Sequence, residues 1–152
     1  METLDYTQLV SEIEGILQKA ENIVFSTCAD NRVTGRTMCH VNDGLDVMFG
    51  TGGDSLKVQQ ARQNNRVALV CGSLQMEAVA ELWGAPSKHA GYNQLNDVKF
   101  PWMKSAYPLD PNVEDTGMLV ICHPTKVSLY KYIDGQPHWD VLDVEKREAY
   151  RL

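Results

Sequence analysis

VFSTCADNRVTGRTMCHVNDGLDVMFGTGGDSLKVQQARQNNRVALV, residues 24–70, changes hydrophobic period twice, and those changes decide the fold. Starting one residue earlier, IVFSTCA (23–29) alternates as a strand does, Asp30-Asn31-Arg32 reads as a turn, and VTGRTMCHV (33–41) as a second strand. Asn42-Asp43-Gly44 is a hairpin signal, and LDVMFGT (45–51) a third strand. After GTGGD (50–54) the period lengthens. Leu56, Val58 and Ala61, with Ser55 near the start, suit a short helix that ends at Asn64-Asn65. RVALVCGSL (66–74) returns to strand, and EAVAELWGA (77–85) follows after a turn too short for a parallel crossover.

Upstream, Leu9, Val10, Ile13, Ile16, Leu17 and Ala20 share one face of a helix over about residues 5–20, and Asp5 stands three residues before Gln8 as a capping box requires. Downstream, residues 86–116 hold Pro86, Pro101, Pro108 and Pro111 among helix-compatible pieces, so one or two short helices in a long irregular insertion are expected. MLVICHPTKVSLYKYI (118–133) is strand-like, with a kink expected at Pro124. The remaining tail holds Trp139 and a charged end, and Trp83 at a strand end is assigned to the core. The expectation is a mainly β fold with flanking helices, five or six antiparallel strands forming a small closed or nearly closed barrel, because closure removes exposed edges.

At 152 residues, 43% of them hydrophobic, the chain suits one domain spanning 1–152. Its net charge of −6 argues against general nucleic-acid or membrane binding. No apolar run approaches a bilayer span, and the acidic METLDYTQLVSEIE start differs from a secretory signal, so a cytoplasmic protein is expected. Cys28, Cys39, Cys71 and Cys122 make no C-x-x-C and no metal-ligand spacing, and are read as free thiols. The neighbours Cys39-His40 and Cys122-His123 are poor dyads, since adjacent strand residues face opposite ways. No metal site and no catalytic acid, base or nucleophile is identified.

FGTGGDSLK (49–57) carries the most chemistry. It leaves a strand, crosses three glycines and enters a helix with a hydroxyl and a lysine in its first turn, so free N–H groups, the helix dipole and an ammonium converge on a place for an anion. It is no P-loop, because Gly53 is followed by Asp-Ser-Leu before Lys57, and no dinucleotide fingerprint, because Ser55 stands where the third glycine belongs. If the second and third strands pair, Arg36 stands beside Ser55 and Lys57 and adds a bidentate phosphate contact. Met38, Val47 and Phe49 are placed to give an apolar strand surface for a flat ring.

VFSTCADNRVTGRTMCHV, LDVMFGTGGDSLKVQQARQNNRVALV and VAELWGAP, in this order, resemble the FMN-binding split-barrel family that includes pyridoxamine 5′-phosphate oxidase. The resemblance covers residues 20–85 well and 118–133 loosely. It implies a six-stranded antiparallel split barrel that dimerises, with FMN in two clefts at the subunit interface. Carried across, Arg36, Ser55 and Lys57 hold the flavin phosphate, and Thr51 with Thr37, Met38 and Cys39 lines the flavin. Trp139 is either a partner-subunit wall over the flavin or a packing residue, and Phe100, Trp102 and Tyr107 are candidates to cap the pocket. The tail DGQPHWDVLDVEKREAYRL lacks the Arg-Leu-His-Asp-Arg type segment of the vitamin B6 enzyme, so that activity is not expected.

The resulting expectation is a flavin-dependent oxidoreductase acting on an unidentified small molecule, with NAD(P)H as a candidate donor. The alternative is a stress-related or binding protein of the same fold. It would hold FMN without efficient turnover, or bind F420, with Arg62 and Arg66 near its anionic tail, or haem, with His40 or His123 as axial ligand. A nucleophilic hydrolase has no supporting motif.

Overall fold

Alternation in Asn22–Ala29 sends Ile23, Phe25, Thr27 and Ala29 inward, and the rest of the barrel is built around that strand. The computed structural model describes residues 1–152. In chain order the elements are β1 (Glu2–Thr3), α1 (Tyr6–Lys19), β2 (Asn22–Ala29), β3 (Arg32–Cys39), β4 (Val41–Asp43), β5 (Asp46–Gly52), α2 (Leu56–Gln63), β6 (Arg66–Cys71) and β7 (Leu74–Gly84). A 3-10 turn at Pro86–Lys88 follows, then α3 (Ala90–Lys99), α4 (Met103–Ala106), β8 (Gly117–Ile133), β9 (Gln136–Asp143) and β10 (Glu148–Arg151).

Six strand positions close a ring. β2 pairs β3, the chain bends at His40 into β4, β4 pairs β5, and β5 pairs the first half of β8. β8 pairs β7, β7 pairs β6, and β6 returns to β2. The second half of β8 leaves β5 and carries β9, β10 and β1 as an antiparallel arm, so the sheet splits along this one strand. A register shift between Glu77 and Ala78 lies opposite Pro124 and Lys126, which is the expected kink: proline cannot donate to the ladder and sits beside a bulge.

The six-stranded barrel is as expected, whereas the tail is not a loose charged end. Asp134 and Gly135, at φ 50° and 76°, form a tight hairpin turn that returns the chain as β9. The pairing of the second with the third strand is confined to Val41–Asp43 on Asp46–Met48, because the bend at His40 takes β3 away to β2. Trp83 is 40% exposed and meets His89 edge to face at 4.7 Å; it is a surface residue.

Phe25 and Phe49 meet edge to face at 4.8 Å in the middle of the barrel core. Asp5 accepts from the Gln8 N–H at 2.9 Å and starts α1, whose Leu9, Ile13 and Leu17, one turn apart, close one end of that core. Each such side chain contributes about 1.5–3 kcal/mol when fully buried. A second apolar cluster of Val41, Met48, Tyr92, Phe100, Leu119 and Ile121 glues the 86–116 insertion onto the outside of β4, β5 and β8. No helix is long and apolar enough to cross a membrane.

Candidate functional site

β5 runs out at Gly52, and the glycines there are a matter of space. A Cβ on Gly53 would lie 2.3 Å from the Thr116 carbonyl oxygen, which instead accepts from the Gly53 N–H at 3.2 Å. Ser55 folds back, its N–H and Oγ both donating to the Gly52 carbonyl at 3.2 and 2.8 Å. Its hydroxyl therefore caps no N–H of α2, and the first N–H groups of that helix keep no side-chain partner.

Gln60, 4% exposed, locks α2 to the sheet. Its Oε1 accepts from the hydroxyls of Thr27 and Thr34, and its Nε2 donates to the Arg32 carbonyl at 3.1 Å. The same two hydroxyls accept from Arg36, whose Nη1 donates to Thr27 Oγ1 at 2.9 Å and to the Phe25 carbonyl at 3.1 Å, and whose Nη2 donates to Thr34 Oγ1. Helix and guanidinium are thus held by one network, which sets Lys57 beside Arg36. Burial lowers the pKa of both, and the charge of Arg36 lowers that of Lys57 further. Neither is among the residues that form ion pairs.

Chain continuity joins this cationic corner to a cleft of about 940 Å³. One wall is Thr37, Met38 and Cys39 of β3 with Gly50, Thr51 and Gly52 of β5; the other is the insertion, through Tyr92, Asn93, Asn96, Trp102, Tyr107 and Leu109 among others. Of the residues named from the sequence, Thr37, Met38, Cys39 and Thr51 line the cleft; Lys57 lies close enough to Arg36 to feel its charge and Ser55 folds back onto the Gly52 carbonyl, and these three stand outside the cleft lining. Val47 and Phe49 do not line it either: both are fully buried in the barrel core, because the first half of β5 is covered on both faces and only its Gly50–Gly52 end reaches the cleft. Of the three aromatics considered as caps, Trp102 and Tyr107 line the cleft, while Phe100, 5% exposed, anchors the insertion.

Trp139 lies elsewhere. It faces Tyr130 across the β8–β9 pair at 4.7 Å, is 36% exposed, and does not line this cleft. His40 and His123 do not line it either: His40 is buried behind β3 with its Nε2 on the Leu17 carbonyl, and His123 is held between Asp46 and Glu81. Pro86, Ser87, Tyr92, Asn93 and Asn96 were not foreseen as cleft residues, and the only signal for them was the length of the insertion.

No protein-family model and no curated protein matches the sequence. Solved structures match over most of the chain. A pyridoxamine 5′-phosphate oxidase-related, FMN binding protein from Nostoc punctiforme is 13% identical over 96% of this chain and 93% of its own, with a TM-score of 0.63. A protein related to general stress protein 26, of the pyridoxinephosphate oxidase family, from Clostridium acetobutylicum is 14% identical over 95% and 99%, with a TM-score of 0.65. An F420 reductase is 20% identical over 76% and 94%, with a TM-score of 0.57. The fold is that of the pyridoxamine 5′-phosphate oxidase-like split barrels.

Proposed function

We propose that this protein binds FMN and is a flavin-dependent oxidoreductase acting on a small molecule. The observation that carries the proposal is the pairing of Arg36 with Lys57. Two partly desolvated cations repel one another beside a helix start, in a chain with 20 acidic residues, and no carboxylate neutralises them. A bound dianion removes that repulsion, and a phosphate matches the convergence of guanidinium, ammonium and helix N–H groups. The adjoining cleft, with Met38 on one wall and a volume of about 940 Å³, suits a flat ring.

FMN when bound supplies hydride and single-electron chemistry, so the protein needs no acid–base dyad of its own. In this proposal Arg36, Lys57 and the start of α2 hold the phosphate, and Ser55 shapes the turn that presents them. Thr37, Met38, Cys39 and Thr51 set the plane of the ring, and the insertion shields it from water. The protein acts as a homodimer with FMN at the interface: the arm bearing Tyr132, 66% exposed, and Trp139 leaves an aromatic face for the second subunit. Its four free cysteines support a reducing, cytoplasmic setting.

Titration with FMN and with riboflavin tests the phosphate site. Arg36→Ala and Lys57→Ala each weaken FMN by about 1.5–3 kcal/mol, the worth of a charge-assisted hydrogen bond, and leave riboflavin nearly unchanged. Equal losses for the two ligands overturn the phosphate assignment. Reduction of the FMN-loaded protein by NADH or NADPH, followed at the flavin absorbance, tests turnover, and light scattering tests the dimer.

A further inference from the structure

The wall of the cleft built by the insertion has its own chemistry. Trp102, Tyr107 and Leu109 are 52%, 72% and 66% exposed, although the insertion is anchored without them by Tyr92 and Phe100. Apolar side chains left in water and gathered along one cleft wall point to an apolar ligand.

Charge is scarce there. The only charged side chains lining the cleft are Lys104 and Asp115. Lys104 Nζ lies 2.7 Å from Asp97, and Asp115 spends one oxygen on the Ser87 N–H at 3.1 Å and the other on the Gly117 N–H at 3.0 Å. Asp115 is committed to this chain, and Lys104 is a solvated lysine already paired on the surface with Asp97, so an ionised ligand entering against Trp102 and Tyr107 finds no buried counter-charge. Asn93 Nδ2 donates to the carbonyls of Pro86 and Ser87 at 3.3 and 3.1 Å, which fixes its amide and leaves Oδ1 as a free acceptor. Asn96 Nδ2 is held by Met103 Sδ at 3.4 Å and leaves its Oδ1 free in the same way. α3 therefore offers two carbonyl-oxygen acceptors, from Asn93 and Asn96, and one remaining donor, the second N–H of Asn96.

We propose that this side of the cleft takes an uncharged, planar aromatic molecule carrying an N–H or O–H donor, which Trp102 and Tyr107 flank and the Asn93 and Asn96 carbonyl oxygens orient. As the substrate class of the site, this rests on the flavin occupying the β3–β5 side. A polyphosphate-bearing ligand is disfavoured on the insertion side, since the one cation lining it is the exposed, Asp97-paired Lys104.

Equilibrium dialysis of the full chain, with and without FMN, against indole, 1-methylindole and indole-3-carboxylate tests it. Indole is expected to bind saturably at one per chain, 1-methylindole about fivefold more weakly for want of the donor, and indole-3-carboxylate at least about tenfold more weakly. Trp102→Ala, a substitution at a half-exposed residue outside both core clusters, is expected to weaken indole at least about tenfold. Absent indole binding, carboxylate binding as tight as indole, or indifference to Trp102→Ala overturns the proposal. If indole binds with these preferences to a protein that does not take up FMN, the ligand class stands and the flavin assignment falls; if FMN binds and indole does not, the ligand class falls alone.

Discussion

Acidification from pH 7 to pH 4 should remove about 3 kcal/mol of folding stability through His40 alone. The ring is 1% exposed, its Nε2 lies 2.9 Å from the Leu17 carbonyl, and its Nδ1 has no partner. A carbonyl only accepts, so Nε2 carries the proton of the neutral ring, and a second proton on Nδ1 would be buried without an acceptor. Lys99 stands close by, donating to the carbonyls of Leu17 and Ala20 at 3.2 and 2.6 Å. Burial first, and the Lys99 charge second, hold the imidazole down from 6.5 to about 4, against the opposing effect of the Leu17 bond. Between those values the unfolded chain binds the proton and the folded protein does not. The stability is therefore complete above pH 6.5 and is lost as pH falls toward 4; at 1.36 kcal/mol per pKa unit the separation is worth about 3 kcal/mol.

Urea unfolding at a series of pH values, for the wild type and for His40→Gln, isolates this contribution. Glutamine keeps an N–H donor for the Leu17 carbonyl and cannot titrate. Other groups move differently: His123 is opposed by burial, yet its bonds to Glu81 and Asp46 outweigh that and raise its pKa, so its contribution is present at low pH and fades as pH rises. Asp140, whose burial is outweighed by Arg151 and Lys131, loses its contribution only below the usual carboxylate range. Both are common to the two proteins and cancel. Wild-type stability should fall about 3 kcal/mol more than that of the variant between pH 7 and pH 4. Stability curves that stay parallel within about 0.5 kcal/mol would refute the assignment of a buried, neutral His40.

Gly53→Ala forces a Cβ onto the Thr116 carbonyl and should cost about 1–3 kcal/mol in thermal unfolding. Gly15→Ala, in α1 with nothing within 4 Å of the added methyl, should stabilise by about 0.5–1 kcal/mol, and the opposite signs check the packing of the two sites. Asp140→Asn breaks the buried carboxylate that joins Lys131 at 2.9 Å and Arg151 at 2.6 Å and should lower the melting temperature; Glu12→Gln should change it little, because Glu12 sits on the exposed rim of the same network.

How legible each part was follows from what surrounds it. β2 and β6 face the core on one side and solvent on the other, so their alternation shows in the sequence. β5 does not alternate, because Phe49 faces the barrel while Met48 faces the Tyr92 and Phe100 cluster, and its apolar run was taken for a ring-binding surface. β9 hides its strand character behind Asp140 and Asp143, both buried, the first neutralised by Lys131 and Arg151 from neighbouring strands. The Asp134-Gly135 turn that returns the chain as β9 was not read as a hairpin. In the candidate site, Arg36, Ser55 and Lys57 are nameable from the sequence through type, spacing and the family resemblance, whereas Asn93, Asn96 and Trp102 gain meaning only once the second cluster docks the insertion.

A shared barrel at 13–20% identity leaves the ligand open, since the FMN binding protein and the F420 reductase have the same fold. Charge bears on which kind of group the Arg36 corner suits. Arg36 and Lys57 are both partly withdrawn from water, each is depressed by that burial, and Lys57 is depressed further by its neighbour. Elsewhere Asp140 neutralises Lys131 and Arg151, and the carbonyls of Leu17 and Ala20 hold Lys99. At the Arg36 corner the chain supplies hydroxyls and a glutamine, which fix the guanidinium in place without neutralising it. A corner that spends three side chains on orienting one cation, and none on cancelling its charge, supports the proposed anion site.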